Sequence, residues 1–248
     1  MGAVSRRDAE LNEVKWWSHW ARLSWTRNGC YLLTSEEFAE PFFNRAGALS
    51  CEGIAGAASW AEERLRAQGL PSTVLVFESC AGATDALLAS GYRAVDTMVV
   101  LVSKSAIPGS GGAEPVVDTS SSAGPWVSAY LRAFYGTEEL AGSVIPIARR
   151  LLKAKPATLL EAKIGGRVAG TLAMFRTRGL AGVYCVGTVP EFRKMGVATR
   201  LLARAREIAD AEGRVLILQT LASDGAEPFY SQRGFGRLYS KTIMEKES

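Results

Sequence analysis

Val197, Leu201, Ala205, Ile208 and Ala209 return every three or four positions, and the run stops at Gly213. That spacing predicts a helix with one buried stripe, ended by a residue suited to the left-handed turn that follows a helix. Residues 215–221 are apolar without alternation, as a strand covered on both faces would be. Ahead of this pair, residues 126–134 and 138–154 carry the helical period, with Thr137 as N-cap of the second and a kink allowed at Pro146. Residues 158–163 and 167–175 flank Gly165-Gly166 and predict a hairpin, and 181–189 predict another strand. A short helix up to Gln232 and a strand over 235–244 complete the half. Strands before and after helices in this order predict a mixed α/β sheet.

The N-terminal half ends in the same order. Residues 56–68 read as helix, 72–78 as strand, 83–89 as helix and 95–102 as strand. Laying Gly91-Tyr92 over Gly234-Phe235 brings Gly53 onto Gly196 and Ala55 onto Ala198, which suggests an internal repeat. Between the halves the composition turns to Ser, Gly, Ala and Pro, so residues 104–124 read as a linker with a short strand at 116–119. Trp16, Trp20 and Leu23 share one helical face and read as core packing rather than as a ligand pocket.

The 248 residues carry a formal charge of +4, too mild for a nucleic-acid footprint. The apolar run 98–102 is far short of the roughly 20 residues a membrane span needs. Arg6, Arg7, Asp8 and Glu10 interrupt any signal-peptide core. Cys30, Cys51, Cys80 and Cys185 lack metal-ligand spacing and His19 is the single histidine, so no metal site is expected. Four reduced, packed cysteines in a cytoplasmic protein is the expectation.

The chemistry concentrates in Val186-Gly187-Thr188-Val189-Pro190-Glu191-Phe192-Arg193-Lys194-Met195-Gly196-Val197-Ala198-Thr199, where a strand turns into the long helix. Helix-opening amides and the positive end of the dipole receive phosphate, and Gly196 keeps a Cβ out of the way. Arg193 and Lys194 add attraction for a pyrophosphate. Gly187 marks a bulge or a place where another chain of atoms lies close, as a pantetheine arm would. Arg-x-x-Gly-x-Ala after a strand, followed by Phe229-Tyr230-x-x-x-Gly234-Phe235, resembles the GNAT superfamily of N-acetyltransferases.

The resemblance covers residues 116–244 and reaches the N-terminal half only through the proposed repeat; together they imply two tandem GNAT-like folds, the first decayed. Residues 1–103 would be a degenerate, non-catalytic domain and 125–248 the catalytic one. It also implies acetyl-CoA as co-substrate and an amine, on a small molecule or protein, as acceptor. Val186, Gly187, Thr188 and Val189 would hold pantetheine and acetyl group; Arg193, Lys194, Met195, Gly196, Val197, Ala198 and Thr199 would cradle the pyrophosphate. Ser223 joins the cofactor set, and Tyr230 would protonate the leaving thiolate. Amides around 187–189 could stabilise the oxyanion.

No acid lies on 181–189 or 215–221, and Glu161, Glu191, Asp224 and Glu227 fit no base position. A water chain, or an α-amine acceptor of pKa ~8, would fill that gap. At the repeat positions Ser50 replaces Arg193 and Leu87 replaces Tyr230. A non-enzymatic acetyl-CoA sensor or scaffold is the alternative, and a plain interaction module the third reading. The expected molecule is cytoplasmic, a monomer or homodimer, without nucleic-acid or membrane partners.

Overall fold

The structure is a computed structural model that describes residues 4–26, 28–103 and 115–247. In chain order its elements are α1 (Arg6–Trp17), β1 (Arg22–Trp25), β2 (Cys30–Thr34), β3 (Arg45–Ala48), α2 (Ile54–Arg66), β4 (Ser72–Phe77), α3 (Ala81–Ala89) and β5 (Arg93–Ser103). They continue as β6 (Val116–Thr119), α4 (Ala123–Phe134), α5 (Ala141–Lys153), β7 (Ala157–Ile164), β8 (Arg167–Thr177), β9 (Leu180–Thr188), α6 (Val197–Ala211), β10 (Val215–Leu221), α7 (Glu227–Ser231) and β11 (Phe235–Lys246). The fold is mixed α/β. Two compact units divide it, one built on Val102–Leu218 with Phe229–Gly236, the other on Ser5–Leu101 with Gln219–Pro228 and Arg237–Ser248.

In the first unit the strands lie in the order β10-β9-β8-β7-β6. Neighbours from β6 to β9 are antiparallel, and β9 runs parallel to β10 through α6. Gly165 and Gly166 both hold positive φ (55° and 75°), so the two-residue hairpin between β7 and β8 takes the primed turn that matches strand twist. The helices lie on both faces of β8. A Cβ on Gly170 would meet Val197 Cγ1 of α6 at 2.5 Å. Its neighbour Thr171 pairs with Gly187, where a Cβ would meet Phe134 of α4 at 2.7 Å. Alternation along the strand puts those two contacts on opposite faces. Val197, Leu201, Ala205 and Ala209 of the α6 stripe are buried as their spacing requires, Leu202 joins them, and Ile208 is half-buried. Each of the larger buried side chains contributes about 1.5–3 kcal/mol through burial.

α5 begins at Ala141, later than the Thr137 cap implies; the Thr137 hydroxyl instead accepts from the Glu139 amide at 3.3 Å. The expected short strand at 116–119 forms and pairs antiparallel with β7. Residues 104–114 of the expected linker lie outside the described residues.

The second unit orders its strands β1-β2-β3-β4-β11-β5. β3 runs parallel to β4 through α2, with Ala46 opposite Val74, and β11 pairs antiparallel with β4 from Lys241↔Phe77 to Lys246↔Ser72. The strand assigned by sequence to the second half therefore pairs with a strand of the first. Ile54, Ala57, Ala61 and Leu65 of α2 close over Val74 and Val76. Trp16 and Trp20 are core, as expected, but not on one helical face: α1 ends at Trp17, Trp20 follows in a turn, and Leu23 is half-buried on β1.

One finding overturns the sequence reading. Cys51 and Cys80 form a disulfide, so only Cys30 and Cys185 are free thiols. The assumption of four reduced cysteines, on which the cytoplasmic reading leaned, does not hold. The bridge spans a separation of 29 residues. Cys51→Ser is expected to lower stability by about 3 kcal/mol, measured as a fall in the urea midpoint. Reductant should lower the wild-type midpoint similarly and leave the variant's unmoved.

Four charged residues enter the core of this unit: Glu10, Glu13, Arg45 and Lys241 are at most 1 % exposed. Lys241 Nζ lies 2.9 Å from Glu10 and 2.7 Å from Glu13, Arg45 Nη2 lies 2.7 Å from Glu13, and Tyr239 donates its hydroxyl to Glu10 at 2.6 Å. Among the described residues no helix is long and apolar enough to cross a membrane, and no three-residue metal cluster exists.

Candidate functional site

β9 carries the first half of the site. It pairs with β8 as far as Gly170↔Thr188, but its parallel register with β10 covers only Leu180↔Val215 to Val183↔Leu218. Between Ala173↔Tyr184 and Thr171↔Gly187 the register slips by one residue. Cys185 absorbs the slip with φ +53°, and its carbonyl accepts from the Thr171 hydroxyl at 3.1 Å. This bulge turns the backbone of 185–188 out of the regular ladder. Val186, Gly187 and Thr188 thus lie beyond the register with β10, on the edge that β10 has left.

Gly187 does mark a close approach, but the partner differs from the expected pantetheine arm. Phe134 Cε2 and Ala133 Cβ would stand 2.7 and 2.8 Å from a Cβ there, so the glycine exists to let α4 down onto the sheet. That contact covers a face of the strand. Backbone hydrogen bonds point along the sheet plane instead, so the edge is a separate surface. The Val189 amide is already used, donating to Ala169 O at 3.0 Å.

After β9, Pro190–Phe192 make one 3₁₀ turn and the chain doubles back into α6. Lys194 (φ +65°) and Gly196 (φ +78°) are both left-handed. Such a turn gathers successive amides on one side, an anion-binding arrangement. Among the described residues no side chain caps α6, and its first internal bond is Arg200 N–H to Gly196 O at 3.0 Å. The amides of Val197, Ala198 and Thr199 precede that bond. Arg193, Lys194 and Met195 are exposed around them. Arg193 reaches Ala133 O at 3.4 Å.

The cations farther along α6 are surface pairs. Arg204 meets Glu207 and Arg206 meets Asp210, both at 2.8 Å.

Tyr230 sits in α7 between Phe229 and Phe235, ring centroids 5.2 and 6.0 Å away. The same segment brings in a residue the sequence reading passed over as an unspecified spacer. Arg233 stacks 3.5 Å above the Phe229 ring, donates to Phe229 O at 2.7 Å, and donates through Nε to the Thr199 hydroxyl at 2.8 Å. It ties the tyrosine segment to the first turn of α6, and burial lowers its pKa. An arginine between an aromatic pair and a glycine was the available signal. Ser223 is engaged otherwise: its amide donates to Asp96 at 3.3 Å and its hydroxyl to the same carboxylate.

The nearby carboxylates are mostly committed to cations. Glu161 lies 2.9 Å from Lys163. Glu191 pairs with Arg132 and Arg167; a bond to its own backbone amide, then Arg132, hold its carboxyl below the usual range. Glu227 is lowered by its hydrogen bonds from Arg237. A lowered carboxyl is a weak base.

A family model described as acetyltransferase (GNAT) matches residues 125–235. No curated protein sequence matches the chain. Among solved structures, a GCN5-related N-acetyltransferase from Kribbella flavida is 15% identical with TM-score 0.71, covering 99% of this chain and 97% of that one. Another from Sphaerobacter thermophilus is 17% identical with TM-score 0.68, covering 88% and 76%. A functionally unknown conserved protein from Staphylococcus epidermidis is 12% identical with TM-score 0.64, covering 92% and 94%. At these identities the likeness is one of fold. With the bulged strand and the left-handed turn into α6 lying inside the matched segment, residues 125–235 carry a domain of the acetyltransferase (GNAT) family.

Proposed function

We propose that this domain transfers the acetyl group of acetyl-CoA to an amine. The observation that carries the reading is the start of α6, whose uncapped amides follow two left-handed residues at the end of a half-paired strand. The co-substrate supplies an activated thioester; the chain supplies placement. Amides of 197–199, with Gly196 and the exposed Arg193 and Lys194, suit the pyrophosphate. The edge of residues 186–188, beyond the register with β10, suits an amide-bearing arm laid along it as an extra strand. Tyr230 is the candidate donor of a proton to the departing sulfur. Arg233 positions it by tying α7 to Thr199. The engagement of Ser223 with Asp96 weighs against a cofactor role for that residue.

The ion-paired carboxylates favour an acceptor that needs no strong base, an α-amine of pKa about 8. They also give the second reading, an acetyl-CoA-binding sensor without turnover, its best support. Release of free thiol from acetyl-CoA, followed with a panel of amines, separates the two. Amine-dependent release is expected in the wild type. Tyr230→Phe should lower kcat about 10–100-fold with KM little changed. Coenzyme A binding without thiol release from any amine would favour the sensor.

The N-terminal half fits a decayed copy of the same fold. Gly91 (φ +86°) and Gly234 (φ +79°) both follow short helices in the left-handed region, which supports this reading. At the phosphate turn the copies part: Gly53 has φ −79°, Ser50 replaces the arginine, and Leu87 is buried. Gly53 instead packs under Ala48 and accepts a hydrogen bond from Cys30. Residues 1–103 are accordingly read as catalytically silent, with 125–248 supplying the chemistry.

A further inference from the structure

The unit that lacks the phosphate turn contains a cavity of about 250 Å³. Phe42, Leu75, Met98 and Ile243 form its apolar wall, Val95 is 41 % exposed, and the polar residues on the lining are Arg45 and Asp96. Asp96 is satisfied locally, accepting from the Thr97 amide at 2.7 Å and from Ser223. Arg45 is not. It is 1 % exposed and spends Nη2 on Glu13 and Nη1 on Phe42 O, while its buried Nε has no hydrogen-bond acceptor among the described residues. A buried guanidinium donor without an acceptor costs about 1–3 kcal/mol, a cost a bound acceptor removes.

We infer that this cavity is a binding site for a small molecule with an apolar, ring-sized body and one carboxylate, which accepts from Arg45. The volume equals about eight waters, enough for a phenyl ring and a short chain. The lining is too apolar to hold a second polar group without leaving it unpaired. Charge favours an acid over a neutral acceptor. The unpaired Nε belongs to a cation, and a hydrogen bond from a cation to a charged acceptor is stronger than one to a neutral acceptor.

The test is calorimetric titration of the full chain with 3-phenylpropionate and with 3-phenylpropan-1-ol, its neutral counterpart. The acid is expected to bind saturably and the alcohol about tenfold or more weakly. Val95→Trp alters an exposed position and should fold normally by circular dichroism. By filling the mouth it should weaken the acid at least about tenfold. Gly196→Glu should bind the acid as wild type does, which keeps this site distinct from the coenzyme site whatever the fate of the acetyl-transfer reading. No saturable heat up to about 5 mM acid, equal affinity for acid and alcohol, or undiminished binding by Val95→Trp would each overturn the inference.

Discussion

Lys241→Met is expected to destabilise the protein by about 3–5 kcal/mol, a large part of the roughly 5–15 kcal/mol that holds a domain folded. Lys241 is fully buried and is the shared cation of Glu10 and Glu13. Removing it leaves two carboxyls in a dry interior with only Arg45 beside them, and at least one must take up a proton. A urea titration checks this as a lower midpoint with unchanged slope. Glu10→Gln should cost much less, because desolvation already holds Glu10 toward its neutral form. Equal losses for the two variants would contradict this account of the network. The two carboxyls also impose opposite pH trends. Although desolvation pushes Glu13 up, Lys241 and then Arg45 bring it below its ordinary 4.5. Its contribution is present above that value and is lost as pH falls through the depressed one. Glu10 is raised, so its contribution is full below the ordinary value and is lost as pH rises through the raised one.

Gly196→Glu should weaken coenzyme A binding by more than about 100-fold, measured by calorimetry at fixed salt. Two causes add. A glutamate at φ +78° carries the left-handed penalty, about 1–2 kcal/mol, which the turn relieves by opening. Its carboxylate also faces the place where the helix-opening amides and Lys194 would draw a pyrophosphate. Gly196→Ala retains the first cause without the second and should fall between. Equal affinity in wild type and Gly196→Glu would remove the basis of the phosphate site.

Local signals were read well where one segment determines them. The α6 stripe, its Gly213 stop (φ +63°), the Gly165-Gly166 hairpin and strand β10 all follow from spacing and turn chemistry inside the segment. What needed long-range information was missed. The period of β11 says that it is a strand, not that it lies beside β4. β1, β2 and β3 are four or five residues long, too short for a period to stand out. Cys51 and Cys80 have no spacing signature, and a buried Glu13 looks like a surface one until Lys241 and Arg45 are beside it. In the site, the left-handed turn into α6 is legible because glycine and arginine fall at fixed offsets. Gly187 was recognised as a point of close approach, but sequence could not say that Phe134 is the neighbour.

β11 has a consequence for how the chain comes to be made. The sheet that begins with β1 stays one strand short until residues 237–246 have been synthesised, so early residues must wait with β4 unpaired along one side. Cutting the gene at the apparent midpoint would therefore yield no self-sufficient N-terminal piece, and any dissection of this protein must carry its closing strand along.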